Sequence, residues 1–229
     1  MQKLSFELPN HRTVFFQVER AYSLGNTGRT KEFVNQHISE LEDQGIPIPS
    51  NTDPSISPLT CNLITQDDHM QVLGDNTTGE VEFAVLINEE GFFITLGSDH
   101  ADRILESKSS PYFKQVCQKP VAHNAWPLSE VIEHWDSIQL LCEVKMNNEW
   151  IIYQEGSSSL LLEIEKMKDL LNHHHAIHPA GTIVFCGTML LKKGKFEYAK
   201  EYRMTMHDPV LNRSIKLNYL VETISDLTI

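Results

Sequence analysis

The stretch VEFAVLI, residues 81–87, constrains the fold more than any other part of the chain. From Phe83 to Ile87 it is apolar on both faces, and a strand of that kind belongs inside a covered sheet. Thr77, Thr78 and Gly79 form a turn before it, and Glu80 and Glu82 stand at its head. Side chains alternate along a strand, so the two acids share one face. One reading is an edge strand with an exposed acidic face. The apolar run, the turn at the strand mouth and a second acidic loop, GSDHADR, favour another. Two carboxylates on one strand face and a third from a neighbouring loop make a hard oxygen site. Mg²⁺ or Mn²⁺ takes such ligands and neutralises acids that otherwise repel one another.

Around this strand the pattern predicts short elements. Residues 3–24 read as two strands around LPNHR. A helix follows Thr30, its N-cap, with Phe33, Val34, His37, Ile38 and Leu41 at helical spacing, and Gly45 and Pro47 end it. The proline-rich 47–58 reads as a loop, placing a small N-terminal portion at 1–55 and a core at 56–229. Strands are expected at 60–65, 69–74, 80–87 and 91–97. A short helix follows GSDHADR, helices cover 127–135 and 159–172, and Asn147-Asn148 turns a hairpin between 137–145 and 149–154. A strand in HPAGTIVFCGTMLL and two more from Tyr198 complete a strand-rich α+β fold.

The chain has 229 residues, 41% of them hydrophobic, enough for one sizeable core. Its formal net charge of -12 argues against nucleic acid as a partner. No stretch approaches the roughly 20 apolar residues of a membrane span, and the alternating N-terminus lacks a signal-peptide core. Four cysteines, Cys61, Cys117, Cys142 and Cys186, show no CxxC spacing, so neither structural zinc nor a disulfide framework is expected. A cytoplasmic protein is the simplest reading. The histidines of NHHHAIH sit at a predicted helix end, where they favour the dipole. His100 beside Asp99 either faces the cleft or packs locally.

His37 and Glu40 stand three apart on one helix face. On spacing alone they are an ordinary surface pair. Beside a metal, a carboxylate next to an imidazole is how a base for water is made.

Taken in order, these elements resemble the fumarylacetoacetate hydrolase superfamily. GEVEFAVLI resembles its Glu-x-Glu strand, and SDHADR, with Asp99 and Arg103, its Asp-x-x-x-Arg pattern. Lys114 in FKQVCQKP, Gln154 and Gly156 in YQEGSSSLL, and HPAGTIVFCGT ending at Thr188 match later elements. Gly28, His37 and Glu40 match an upstream one. The resemblance implies a mixed β-sandwich roll, a homodimer, and metal-dependent chemistry on a small anionic oxo acid. Glu80, Glu82 and Asp99 would hold Mg²⁺ or Mn²⁺. His37 and Glu40 would activate water, and Lys114 would act on the developing anion. Arg103, Gln154, Gly187 and Thr188 would bind substrate. Hydrolytic carbon–carbon cleavage of an acylpyruvate-like or 1,3-dicarbonyl compound leads. Decarboxylation, hydration or isomerisation at the same metal comes second, and a non-catalytic binding protein third. The connection between Glu82 and Asp99 is shorter than the family's, which makes Asp102 the alternative third ligand.

Overall fold

The computed structural model describes residues 2–48, 51–108, 112–178 and 181–225. In chain order it holds β1 (Lys3–Glu7), β2 (Thr13–Gln17), β3 (Arg20–Gly25), α1 (Lys31–Asp43), β4 (Ser55–Leu59), β5 (Ile64–Thr65) and β6 (His69–Leu73). Next come β7 (Thr77–Thr78), β8 (Val81–Asn88), β9 (Gly91–Ser98), β10 (Ala101–Asp102), α2 (Arg103–Glu106), β11 (Lys119–Pro127) and α3 (Leu128–Val131). The chain ends with β12 (Gln139–Met146), β13 (Glu149–Ser157), α4 (Ile164–His173), β14 (Thr182–Thr188), β15 (Glu201–Asp208) and β16 (Arg213–Ile224). This is a strand-rich α+β fold with two mixed sheets. The larger runs β2-β1-β11-β9-β8-β14-β3-β4, with β5 attached to β11; the smaller runs β13-β12-β15-β16-β6.

β8 lies between β9 and β14, both antiparallel to it. Val81, Phe83, Val85 and Ile87 point to a core shared with the smaller sheet, where Cys142, Val144, Met204, Met206, Ile215 and Leu217 meet them. Ala84 and Leu86 point the other way, into a second core closed by Leu4, Phe6, Val14 and Phe16 of β1 and β2. The strand is therefore apolar on both faces because both faces are covered. Phe83 is fully buried with its ring edge-on to Trp135, centroids 4.7 Å apart. Truncating a phenylalanine packed in this way costs about 3–5 kcal/mol.

Local signals explain most element ends. Thr30 Oγ1 accepts from the Phe33 N–H at 3.2 Å and caps α1. Gly45, at φ +77°, takes the left-handed conformation after the helix. Asn147 and Asn148, at φ 51° and 66°, make the turn between β12 and β13.

Several expectations need correction. Residues 3–25 form three strands, because β3 is separate from β2 and pairs parallel with β14. The proline-rich stretch contains β4, which pairs with β3 at the sheet edge, where the missing N–H of Pro58 costs no ladder bond. Residues 3–25 thus share the sheet of the expected core. Only Ile64–Thr65 of the segment 60–65 is strand, since Cys61–Leu63 coil into a 3-10 turn. Likewise α3 covers four residues before a 3-10 stretch, and α4 starts at Ile164. Trp126 and Trp135 are buried in the core. His173, His174 and His175 are exposed at the end of α4. No helix among the described residues is long and apolar enough to cross a membrane.

Candidate metal centre

The tight Asn88–Gly91 turn sends β9 straight back along β8, so Ser98 lies opposite Val81. The Asp99 N–H then donates to the Glu80 carbonyl at 3.1 Å. Two adjacent strand ends thus deliver Glu80, Glu82 and Asp99 to one place, with no helix between them. All three are buried, and one carboxylate oxygen from each lies within 4.8 Å of the others. Asp102, the alternative, is used elsewhere: its carboxylate caps α2 through the Leu105 N–H at 2.8 Å.

Each carboxylate is held from outside. Arg103 Nη2 lies 3.0 Å from Glu80 Oε1, and the same guanidinium reaches Glu106 Oε2 at 2.8 Å and Thr78 Oγ1 at 2.6 Å. Phe196 covers it, 4.5 Å from ring centre to guanidinium carbon. The Gly187 N–H donates to Glu82 Oε2 at 2.8 Å. That N–H is free to turn inward because Gly187 sits at φ +100°, and a Cβ there would meet Thr27 Oγ1 at 1.7 Å. Asp99 Oδ2 accepts from Ser23 Oγ at 2.7 Å and from the ammonium of Lys114. Lys119 Nζ lies 2.8 Å from Asp99 Oδ1, yet directs its hydrogen bond to the His100 carbonyl. Asp99 Oδ1 is therefore ion-paired with Lys119 without a well-aligned hydrogen bond. Three buried carboxylates that bring one oxygen each to a common point fit a hard divalent cation.

The electrostatics follow. Burial and the charge of Asp99 push the Glu82 carboxyl well above its usual range. Burial alone would raise Asp99 too, but the ammonium groups of Lys114 and Lys119 overcome it and hold the carboxyl far below. For Lys114 burial favours the neutral amine, and the three carboxylates outweigh it, so the lysine stays charged.

A cavity of about 190 Å³ opens above these groups. Its wall includes Glu80, Glu82, Glu106, Lys114, Gly187 and Thr188, with His37 contributed by α1. His37 Nδ1 lies 4.0 Å from Glu40 Oε2. Burial lowers the imidazole pKa, so the ring is neutral at physiological pH. Glu40 is the one buried residue of α1; it accepts the Leu191 N–H at 3.2 Å, and burial raises its carboxyl to about 7.

Four predicted residues serve the scaffold first. Arg103 and Gln154 are not among the described residues lining the cavity. The Gln154 amide ties the Val81 N–H, the Thr188 hydroxyl and the Met189 carbonyl at 3.0, 2.8 and 2.6 Å. Gly187 and Thr188 do line it, but the Gly187 N–H holds Glu82 and the Thr188 hydroxyl donates to the Val81 carbonyl at 3.0 Å. His100 packs locally, its ring nitrogens 3.0 Å from Tyr219 Oη and 2.9 Å from Thr77 Oγ1. Burial pushes the Cys117 thiol up to about 11 and the Cys186 thiol well above its usual range, as expected of small apolar residues. Sequence reading missed Ser23, Thr78, Glu106 and Lys119. Glu106 had a weak signal, standing three residues beyond Arg103 on a predicted helix.

A strand-rich α+β protein with three converging buried carboxylates, two of them lining a cavity, is of the class that can hold a divalent cation. Residues 24–219 match the family described as "Protein of unknown function (DUF2848)", and the chain belongs to that family. No curated protein matches the sequence. Among solved structures it is similar to Cg1458, with TM-score 0.62 and 12% identity over 93% of this chain and 80% of that one. It is also similar to 2-keto-3-deoxy-D-arabinonate dehydratase in its apo form, with TM-score 0.62 and 15% identity over 93% and 77% of the two chains. The dehydratase complexed with magnesium and 2,5-dioxopentanoate gives TM-score 0.60 at 16% identity, over 93% and 77%. At these identities the likeness is one of fold.

Proposed function

We propose that this protein is a divalent-metal-dependent enzyme of the fumarylacetoacetate hydrolase superfamily, with that superfamily's β-roll, acting on a small anionic oxo acid. The observation that carries the reading is the Glu80, Glu82 and Asp99 cluster beneath a cavity that His37 faces. The magnesium and dioxopentanoate reported for the similarly folded dehydratase support it. Held by the three carboxylates, Mg²⁺ or Mn²⁺ supplies Lewis-acid polarisation of adjacent substrate oxygens.

The chain's own residues supply the rest. An ammonium has three donors, and Lys114 directs two of them to Ser23 and Asp99. The third remains for the substrate carboxylate or a developing enolate oxygen. His37, neutral and on the cavity wall, takes a proton from water, and Glu40 beside it steadies the imidazolium. Arg103 and Gly187 keep Glu80 and Glu82 aimed inward, and Gln154 and Thr188 fix the backbone that carries them.

Hydrolytic cleavage of an acylpyruvate-like compound leads, since a neutral imidazole beside a carboxylate suits activation of water. Loss of water is the alternative, favoured by the fold shared with a dehydratase. Incubating Mn²⁺-loaded protein with a panel of oxo acids and weighing the products separates them. Two smaller acids mean cleavage, and loss of water alone means dehydration. His37→Ala should abolish turnover while Mn²⁺ still binds. Binding without turnover of any oxo acid would leave a non-catalytic binding protein.

A further inference from the structure

α1 is an amphipathic helix that buries none of its apolar residues. Phe33, Val34, Ile38 and Leu41 are all half-buried, and Glu40 alone is buried. The four share one face with His37 at spacings of one, three and four residues, and all five side chains line the cavity. Ile46 and Ile48, just past the helix, continue the same wall. Helical stability in proteins comes mainly from packing such a face, yet here part of it is left open to the cavity. Beside His37, further polar side chains reach the cavity from another element. Ser55 and Ser57 belong to β4, which pairs with β3 on the side that carries Ser23 and Asp99. The cavity is thus two-sided, with carboxylates, Lys114 and hydroxyls on the strand side and, His37 apart, hydrocarbon on the helix side.

We propose that the substrate is a 2-oxo acid with an unbranched hydrocarbon tail, its charged head toward Lys114 and its tail along α1. This inference rests on the metal-dependent reading above and narrows it. Each methylene laid against the α1 wall leaves water for apolar surface, worth about fourfold in affinity, the equivalent of about 0.8 kcal/mol. A hydroxyl on the same tail would meet Phe33, Val34, Ile38 and Leu41, none of which carries a side-chain hydrogen-bonding group. An unpaired buried hydroxyl lowers affinity by roughly tenfold or more. The hydroxylated sugar-derived acid named for the similarly folded dehydratase is therefore a poor ligand here.

Calorimetry on the Mn²⁺-loaded protein tests this with four probes. Oxalate reports the head site alone. Pyruvate and 2-oxohexanoate differ by three methylenes, and 2-oxo-3-deoxypentonate, one carbon shorter than the latter, carries hydroxyls on its last two carbons. The expected order is 2-oxohexanoate tighter than pyruvate by on the order of tens of fold, with the pentonate no tighter than pyruvate. In Ile38→Asn, at a half-buried site, the gain per methylene shrinks, measured against oxalate, whose binding reports that the head site is intact. If oxalate binds and chain length has no effect, the metal-centre reading stands and this inference falls. A pentonate tighter than 2-oxohexanoate would overturn it too, and would assign the tail to Ser55 and Ser57. If oxalate does not bind, both fall together.

Discussion

Lys119 offers the sharpest test of how the centre is held. It is fully buried, its ammonium 2.8 Å from Asp99 Oδ1 and hydrogen-bonded to the His100 carbonyl. Lys119→Met keeps the stem and removes the charge. Asp99 then loses one of its two cations, and the His100 carbonyl loses its donor. Breaking a buried ion pair from one side costs about 3–5 kcal/mol. In a chain of this size each kcal/mol moves Tm by about 2–4 °C, so a fall of about 10 °C is expected. A divalent cation on Asp99 would replace the missing positive charge. Mn²⁺ should therefore raise the variant's Tm by more than it raises the parent's, since a ligand bound only to the folded state stabilises in proportion to its affinity. The assay is thermal unfolding followed by circular dichroism, with EDTA and with Mn²⁺. A fall under about 2 °C would show that Lys119 contributes no more than packing. Equal stabilisation by Mn²⁺ in both proteins would mean that the cation does not sit on Asp99.

Further outcomes follow from the same geometry. Lys114→Met should cut turnover about 100-fold, the scale of losing one donor to a developing oxyanion, while calorimetry still shows Mn²⁺ binding. Retained turnover would remove Lys114 from the mechanism. Glu40 is raised by burial from 4.5 to about 7. The folded state therefore binds the extra proton between those values, and stability falls as pH rises through that window. Urea midpoints compared at about pH 5 and about pH 7.5 should show the fall in the parent and a smaller one in Glu40→Gln, where Glu82 and Glu106, also raised by burial, still contribute. Asp102→Ala should cost about 1 kcal/mol through loss of the α2 cap and leave Mn²⁺ affinity unchanged; a large loss of affinity would make Asp102 a ligand. Light scattering should report a homodimer, and a mass equal to one chain would refute it.

What the sequence made legible was local. The caps of α1, the Asn147-Asn148 turn and the shared face of Glu80 and Glu82 depend on residues within a few positions of one another, and the structure keeps them. The strand β4 was hidden because proline-rich composition reads as loop, whereas an edge position tolerates Pro58. Ser23 and Lys119 were invisible for a different reason. Their roles exist only across tertiary contacts, Ser23 reaching Asp99 from 76 residues away. The placement of Arg103 and Gln154 shows a further gap. A motif gives the residue type, but not whether its donors face the ligand or hold the protein's own acids and backbone.

The pairing of β3 with β14 bears on how the molecule assembles. Ala21 lies beside Ile183 and Ser23 beside Phe185, in parallel, and β1 and β6 make similar parallel pairings with β11 and β16. Strands from the first third of the chain thus complete their pairing only with later segments. During synthesis β3 can pair early with β4, but its other edge waits until β14, ending at residue 188, has been made. Closing such long loops precedes any gain from the pairing, which makes folding slow relative to helical proteins of equal stability. Because Ser23 rides on β3, the oxygen cluster reaches its final form only at that late step. A nascent chain stopped before β14 would carry the three acids without the hydroxyl that orients Asp99, and would expose β8 as an apolar edge open to aggregation.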